Sequence, residues 1–133
     1  MVDVLKRIRQ RAAADPQHIV LPEGEDPRTI VAAATCLRER LARLTLLGDV
    51  ERIREKAREV DADLTGAEIF DHRRAPDFEK MAMLYYELRR AKGVTFDEAR
   101  RAVEDPLYYG DLMVRAGRAD GSVAGATNTT AHT

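Results

Sequence analysis

Cysteine occurs once in these 133 residues, as Cys36, and serine once, as Ser122. A lone cysteine closes no internal disulfide and builds no thiolate cluster for a metal. Inside an expected helix, with no histidine near it in sequence, Cys36 reads as a packed thiol. Ser122 lacks the G-x-S-x-G surroundings of a nucleophile elbow. No apolar run approaches the ~18 residues that a membrane span needs. The opening MVDVLKRIRQRAAAD is amphipathic and charged, without the apolar centre of a secretory leader. Walker A and G-x-G-x-x-G sequences are both missing, and with them the common nucleotide fingerprints. Neither sign of charge dominates: 22 Lys plus Arg stand against 23 Asp plus Glu, a net −1. That balance argues against a broad nucleic-acid footprint. His18, His72 and His132 are scattered, without metal-ligand spacing. These absences leave a soluble, cytoplasmic protein with no metal site and no membrane or nucleic-acid partner as the expectation.

What is present is a pattern of alternating elements. The length suits one domain, and 44% hydrophobic residues allow an ordinary core. Val4, Leu5, Ile8 and Ala12 fall at helical spacing, which predicts an amphipathic helix over 2–14. Asp15-Pro16 ends it. His18–Pro22 holds a short strand, and Asp26-Pro27 supplies an N-cap and a first helical proline. Ile30, Ala34, Leu37 and Leu41 mark the buried stripe of the helix that follows. Leu44–Leu47 is a second strand. Asp49 caps a charged helix over Val50–Val60, best read as a solvated face. Ala67–Phe70 is a weaker third strand. Asp77 caps a long helix to Lys92, with Phe78, Met81, Tyr85 and Leu88 on one face and Gly93 as its terminator. Thr95 and Glu98 form a capping box. Asp105-Pro106 starts a helix running to about Ala116. Ser122–Gly125 is a final strand before the small, polar Ala126–Thr133. Strands alternating with helices imply a mostly parallel sheet covered on both faces, a three-layer α/β/α domain. Ligands in such sheets bind beyond the carboxyl ends of the strands. The loops 22–28 and 126–133 both lie there.

Three features of the sequence invite chemistry. Arg28 sits in the first turn of its helix, where a cation opposes the dipole at a cost of ~0.3–1 kcal/mol. Either Glu25 or Asp26 compensates, or a phosphate held by Arg28 and free backbone N–H groups does. Arg89 shares a helical face with Tyr85; it either complements the dipole in a last turn or binds a ligand. The run Gly125-Ala126-Thr127-Asn128-Thr129-Thr130 offers three hydroxyls, an amide and backbone donors to an anion, or is simply a polar loop. Glu23 and Glu25 read as loop solvation rather than an acid–base pair, and His72 as part of a polar loop.

Three segments together resemble the phosphate acetyl- and butyryltransferases: V-L-P-E-G-E-D-P-R-T at Val20–Thr29, Y-E-L-R-R-A-K-G-V-T at Tyr86–Thr95, and D-P-L-Y-Y-G-D-L-M-V-R-A-G-R-A-D-G-S-V-A-G-A at Asp105–Ala126. The resemblance covers nearly the whole chain. It implies an isocitrate/isopropylmalate dehydrogenase-like fold, of which 1–133 would be the N-terminal α/β domain, without a second domain or C-terminal return. It also implies exchange of an acetyl group between phosphate and coenzyme A. Coenzyme A is then a substrate, acetyl phosphate or phosphate its counterpart, no prosthetic group is needed, and homodimers are common. Arg28 matches the family's D-x-R-T arginine and Arg89 its Y-E-L-R arginine, both as holders of coenzyme A or phosphate. Asn128, Thr129 and Thr130 match a hydroxyl-rich loop at the acyl-phosphate site, although Asn128 stands where relatives often have His. The family's base, an Asp, has no counterpart in these residues, so no catalytic residue is assigned and the chain by itself is expected to be inactive. The alternatives are a binding module for coenzyme A or another anion, a regulatory or assembly domain, and a butyryl rather than acetyl substrate.

Overall fold

A computed structural model gives the structure of the chain and describes residues 2–127. Helix α1 covers Val2–Ala14, followed by strand β1 at Gln17–Leu21, helix α2 at Pro27–Arg38 and strand β2 at Ala42–Leu47. Helix α3 at Val50–Glu59 leads to strand β3 at Glu68–Phe70. A 3-10 turn at His72–Arg74 precedes α4 at Phe78–Arg89, α5 at Phe96–Val103, α6 at Pro106–Arg115 and strand β4 at Gly121–Ser122. The strands lie in the order β3-β2-β1-β4, all pairs parallel.

The helix starts follow from their caps. Asp26, Asp49 and Asp105 each accept a backbone N–H from the first turn, worth about 1 kcal/mol apiece. Pro27 and Pro106 occupy first-turn positions where no donor is lost. Thr95 and Glu98 complete the capping box. Asp77 differs: its side chain makes no cap bond, because its carboxylate is taken by the Tyr109 hydroxyl at 2.8 Å and by Arg118.

Each face of the sheet buries one apolar layer. Ile30 and Ala33 of α2 and Ile53 and Ala57 of α3 pack on Leu44 and Leu46. On the other face, Phe78, Met81, Val103, Tyr109, Leu112 and Met113 pack with Val20 and Leu47. The strands are also tied laterally. Thr45 donates its one hydroxyl hydrogen to Glu68 at 3.1 Å, so His18 Nε2, 2.7 Å away, must donate to it. The α2 stripe is shifted from its predicted line: Ile30 is buried as expected, but Ala33 rather than Ala34 shares the core. On α1 a helix forms, yet Val4, Leu5 and Ile8 are each more than half exposed. Among the described residues no helix is long and apolar enough to cross a membrane.

Candidate functional site

The carboxyl end of β1 is closely packed on both sides. Pro22 is fully buried, and Gly110 of α6 approaches it so closely that a Cβ there would stand 2.9 Å from Pro22 Cγ. On the opposite side Gly24 lies against β2, where an added Cβ would meet the Leu47 carbonyl at 2.5 Å. Glu23 is fixed between these two contacts and is itself buried.

Its carboxylate is an acceptor for the loop after β4. Oε1 accepts the N–H groups of Gly125 and Ala126 at 2.7 and 2.9 Å, and Oε2 accepts that of Thr127 at 2.8 Å. Three successive backbone donors thus converge on an anion, but the anion belongs to the chain. Reading Glu23 as loop solvation is corrected by this burial and these three bonds.

A second clamp lies beside the first. Asp26 accepts the Arg28 N–H at 2.8 Å, Arg28 Nε at 3.2 Å and Nη2 at 3.0 Å. It also accepts the Thr127 hydroxyl at 2.7 Å. The Arg28 guanidinium, then the Thr127 hydroxyl, holds the Asp26 carboxyl well below the usual carboxylate range. Arg28 also donates to the Ala126 carbonyl. So Asp26 does compensate the first-turn cation, one of the two readings weighed above. The guanidinium nevertheless stays largely exposed and lines a small cleft with Thr29, Val123 and Ala124, where an anion could reach its remaining N–H groups. Asn128, Thr129, Thr130 and His132 lie outside the described residues.

Arg89 stands elsewhere. With Tyr85, Leu88, Tyr108, Asp111 and Arg115 it lines a groove of about 280 Å³ between α4 and α6. Tyr85 and Tyr108 stack there with centroids 5.8 Å apart and planes 21° from parallel. Neither Arg89 nor Arg115 has an ion pair among the described residues. Asp111 is pushed up by burial. The described residues do not join the Arg28 cleft and the Arg89 groove into one cavity.

His72 is a third surprise. It is 2% exposed, packed on Tyr109 with centroids 5.2 Å apart, and lines a cavity of about 220 Å³ with Glu23, Gly48 and Thr127. The Glu104 carbonyl, 2.7 Å from Nε2, can only accept, so the neutral ring carries its hydrogen on Nε2. Nδ1 is buried without a partner. Burial pulls the His72 pKa below its ordinary value. A group whose folded pKa is lowered takes up its proton more readily in the unfolded chain. The His72 contribution to stability is therefore intact above its ordinary value of about 6.5 and is lost as pH falls below it. Thermal denaturation across this range should show a steeper acid slope for wild type than for His72→Gln; equal slopes would clear His72 of the effect.

Sequence reasoning missed Glu23, His72 and the Tyr85–Tyr108 stack. The available signals were the Pro-Glu-Gly run directly after a strand and the spacing of Tyr108, Asp111 and Arg115 along one helical face.

Comparison with known proteins places these features in context. A family model described as phosphate acetyl/butaryl transferase matches residues 3–133. Phosphate acetyltransferase of Corynebacterium glutamicum is 45% identical over 124 residues, covering 93% of this chain and 38% of that protein. The protein of that name from Synechocystis sp. is 44% identical over 131 residues, covering 97% of this chain and 19% of its own length. Among solved structures, a phosphotransacetylase from Streptococcus pyogenes superposes with a TM-score of 0.90 at 30% identity, covering 98% of this chain and 40% of that one. EutD phosphotransacetylase from Staphylococcus aureus gives 0.84 at 28% identity, covering 97% and 39%. The chain spans less than two-fifths of the length of these two curated relatives.

Proposed function

Since the chain belongs to the phosphate acetyl/butaryl transferase family, we propose that it serves the reversible transfer of an acetyl group between phosphate and coenzyme A, as a substrate-holding part. The names of its curated relatives favour acetyl over butyryl. Coenzyme A enters as a substrate, and the reading invokes no prosthetic group. Arg28, with the loop 125–127 clamped beside it, would face phosphate or the acyl phosphate. Asn128, Thr129 and Thr130 follow Thr127 in sequence and belong to the same proposal. Arg89 would hold a phosphate group of coenzyme A. We assign no base to the described residues, so this chain binds and orients rather than moving the thiol proton. A cytoplasmic setting and a homodimer are part of the reading; the exposed Val4, Leu5 and Ile8 of α1 supply apolar surface for self-association.

The observation that carries the reading is the pair of arginines, Arg89 and Arg115, left without an ion pair beside a tyrosine stack. Guanidinium–phosphate bonds are charge-assisted and among the stronger hydrogen bonds proteins make. Calorimetric titration with coenzyme A is the test. Arg89→Ala should weaken binding about tenfold, the loss of one such contact at ~1.4 kcal/mol. No binding by wild type, or equal binding by both, counts against the reading.

A further inference from the structure

We infer that Glu23 is a positioning residue: its buried carboxylate holds the loop 125–127 after β4 in the one shape that presents Thr127 beside Asp26 and Arg28. The inference rests on the substrate reading of that loop given above. Three observations carry it. The Glu23 backbone cannot drift, because Pro22 is wedged under Gly110 and Gly24 lies against the Leu47 carbonyl. Its two carboxylate oxygens take the N–H groups of Gly125, Ala126 and Thr127, so the loop backbone is fixed at three consecutive residues. The contacts also bridge about a hundred residues of sequence, joining the end of β1 to the end of β4.

The same bonds settle what the loop can offer a ligand. Its N–H groups at 125–127 are already occupied by Glu23, so an anion arriving here would meet side chains rather than that backbone. The Thr127 hydroxyl is aimed by Asp26, and the Ala126 carbonyl is capped by Arg28. Glu23 therefore converts a stretch of backbone that could itself trap an anion into a rigid mount. A charged acceptor for three donors is worth more than neutral bonds, and removing it takes the partner from three part-buried N–H groups. Glutamine is a poor substitute, since one of its two ends is a donor facing donors.

The experiment uses the whole chain, wild type and Glu23→Gln, with two readouts by NMR: backbone amide exchange, and titration with inorganic phosphate. In the variant, exchange at Gly125, Ala126 and Thr127 should quicken at least about tenfold relative to amides of β1 and β2. Phosphate affinity should fall about tenfold, as expected for one charge-assisted contact misplaced. Loop protection that survives in the variant, or is lost equally across the sheet, overturns the proposal. So does unchanged phosphate affinity with a loosened loop. If wild type binds no phosphate, the substrate reading fails separately, and the amide comparison still decides whether Glu23 holds the loop. Glu23→Asp keeps the charge but shortens the reach, and should lie between the two. If neither variant folds, Glu23 is a folding residue and the proposal is wrong.

Discussion

Tyr109→Ala should destabilise the chain by about 3–5 kcal/mol, the range for deleting a large aromatic side chain from a core. Tyr109 is fully buried and is the largest such side chain. Its ring meets Phe70 edge-on, with centroids 6.1 Å apart and planes at 73°. It also packs on His72 at 5.2 Å. The hydroxyl donates to Asp77 at 2.8 Å, and burial, followed by that carboxylate, pushes the phenol up to about 12. One side chain thus links β3, the His72 turn, the start of α4 and α6. Since a domain this size holds only about 5–15 kcal/mol in total, the variant should sit close to its unfolding threshold. Tyr109→Phe separates the two contributions. It keeps the ring contacts and loses one hydrogen bond, which leaves Asp77 with Arg118, so about 1 kcal/mol is expected. Urea denaturation of both variants is the measurement. A loss under about 2 kcal/mol for Tyr109→Ala would mean that the surrounding side chains collapse into the gap.

The sequence already carried most of this architecture, and the reason is local. Asp26-Pro27 and Asp105-Pro106 fix helix starts through their own backbone chemistry, and both helices begin where those residues predict. Gly93 ends the α4 region in the left-handed conformation expected of a terminator. What was illegible depended on partners distant in sequence. Asp77 reads as an N-cap, but Tyr109 and Arg118 compete for its oxygens and win. His72 reads as a loop residue between charged neighbours, yet α6 covers it. β4 shrinks to Gly121–Ser122, because only two residues find partners on β1. The site follows the same division. Arg28 was legible as a first-turn cation needing an anionic partner, with Glu25, Asp26 or a phosphate as the choices, and the structure pairs it with Asp26. Glu23 was not, because its three donors lie about a hundred positions away. Arg89 was legible as a last-turn arginine on the Tyr85 face, whereas its groove requires α6.

Gly24→Ala should be the most damaging of the small substitutions, and it would act on fold and site together. An ideal Cβ at Gly24 lies 2.5 Å from the Leu47 carbonyl oxygen, 3.1 Å from the Leu47 nitrogen and 3.1 Å from Ile53 Cδ1. The Ile53 methyl can turn aside, but the Leu47 backbone belongs to a central strand paired on both edges. The conflict is therefore relieved by moving the 22–24 segment, and overpacking of this kind costs typically 1–3 kcal/mol, occasionally more. Gly93→Ala gives a useful contrast: its φ of +87° is unfavourable for alanine, but nothing lies within 4 Å. It should cost about 1 kcal/mol by conformation alone and leave the site untouched. At Gly24 the shift is transmitted one residue back, to Glu23, whose carboxylate must stay in place to meet three N–H groups. Thermal denaturation should show the larger loss for Gly24→Ala. Amide exchange should quicken at Gly125, Ala126 and Thr127 in that variant and not in Gly93→Ala. If Gly24→Ala loses stability while those three amides stay protected, the close approach at Gly24 serves only β2 packing. The rigidity of Glu23 must then come from Pro22 and Gly110 alone.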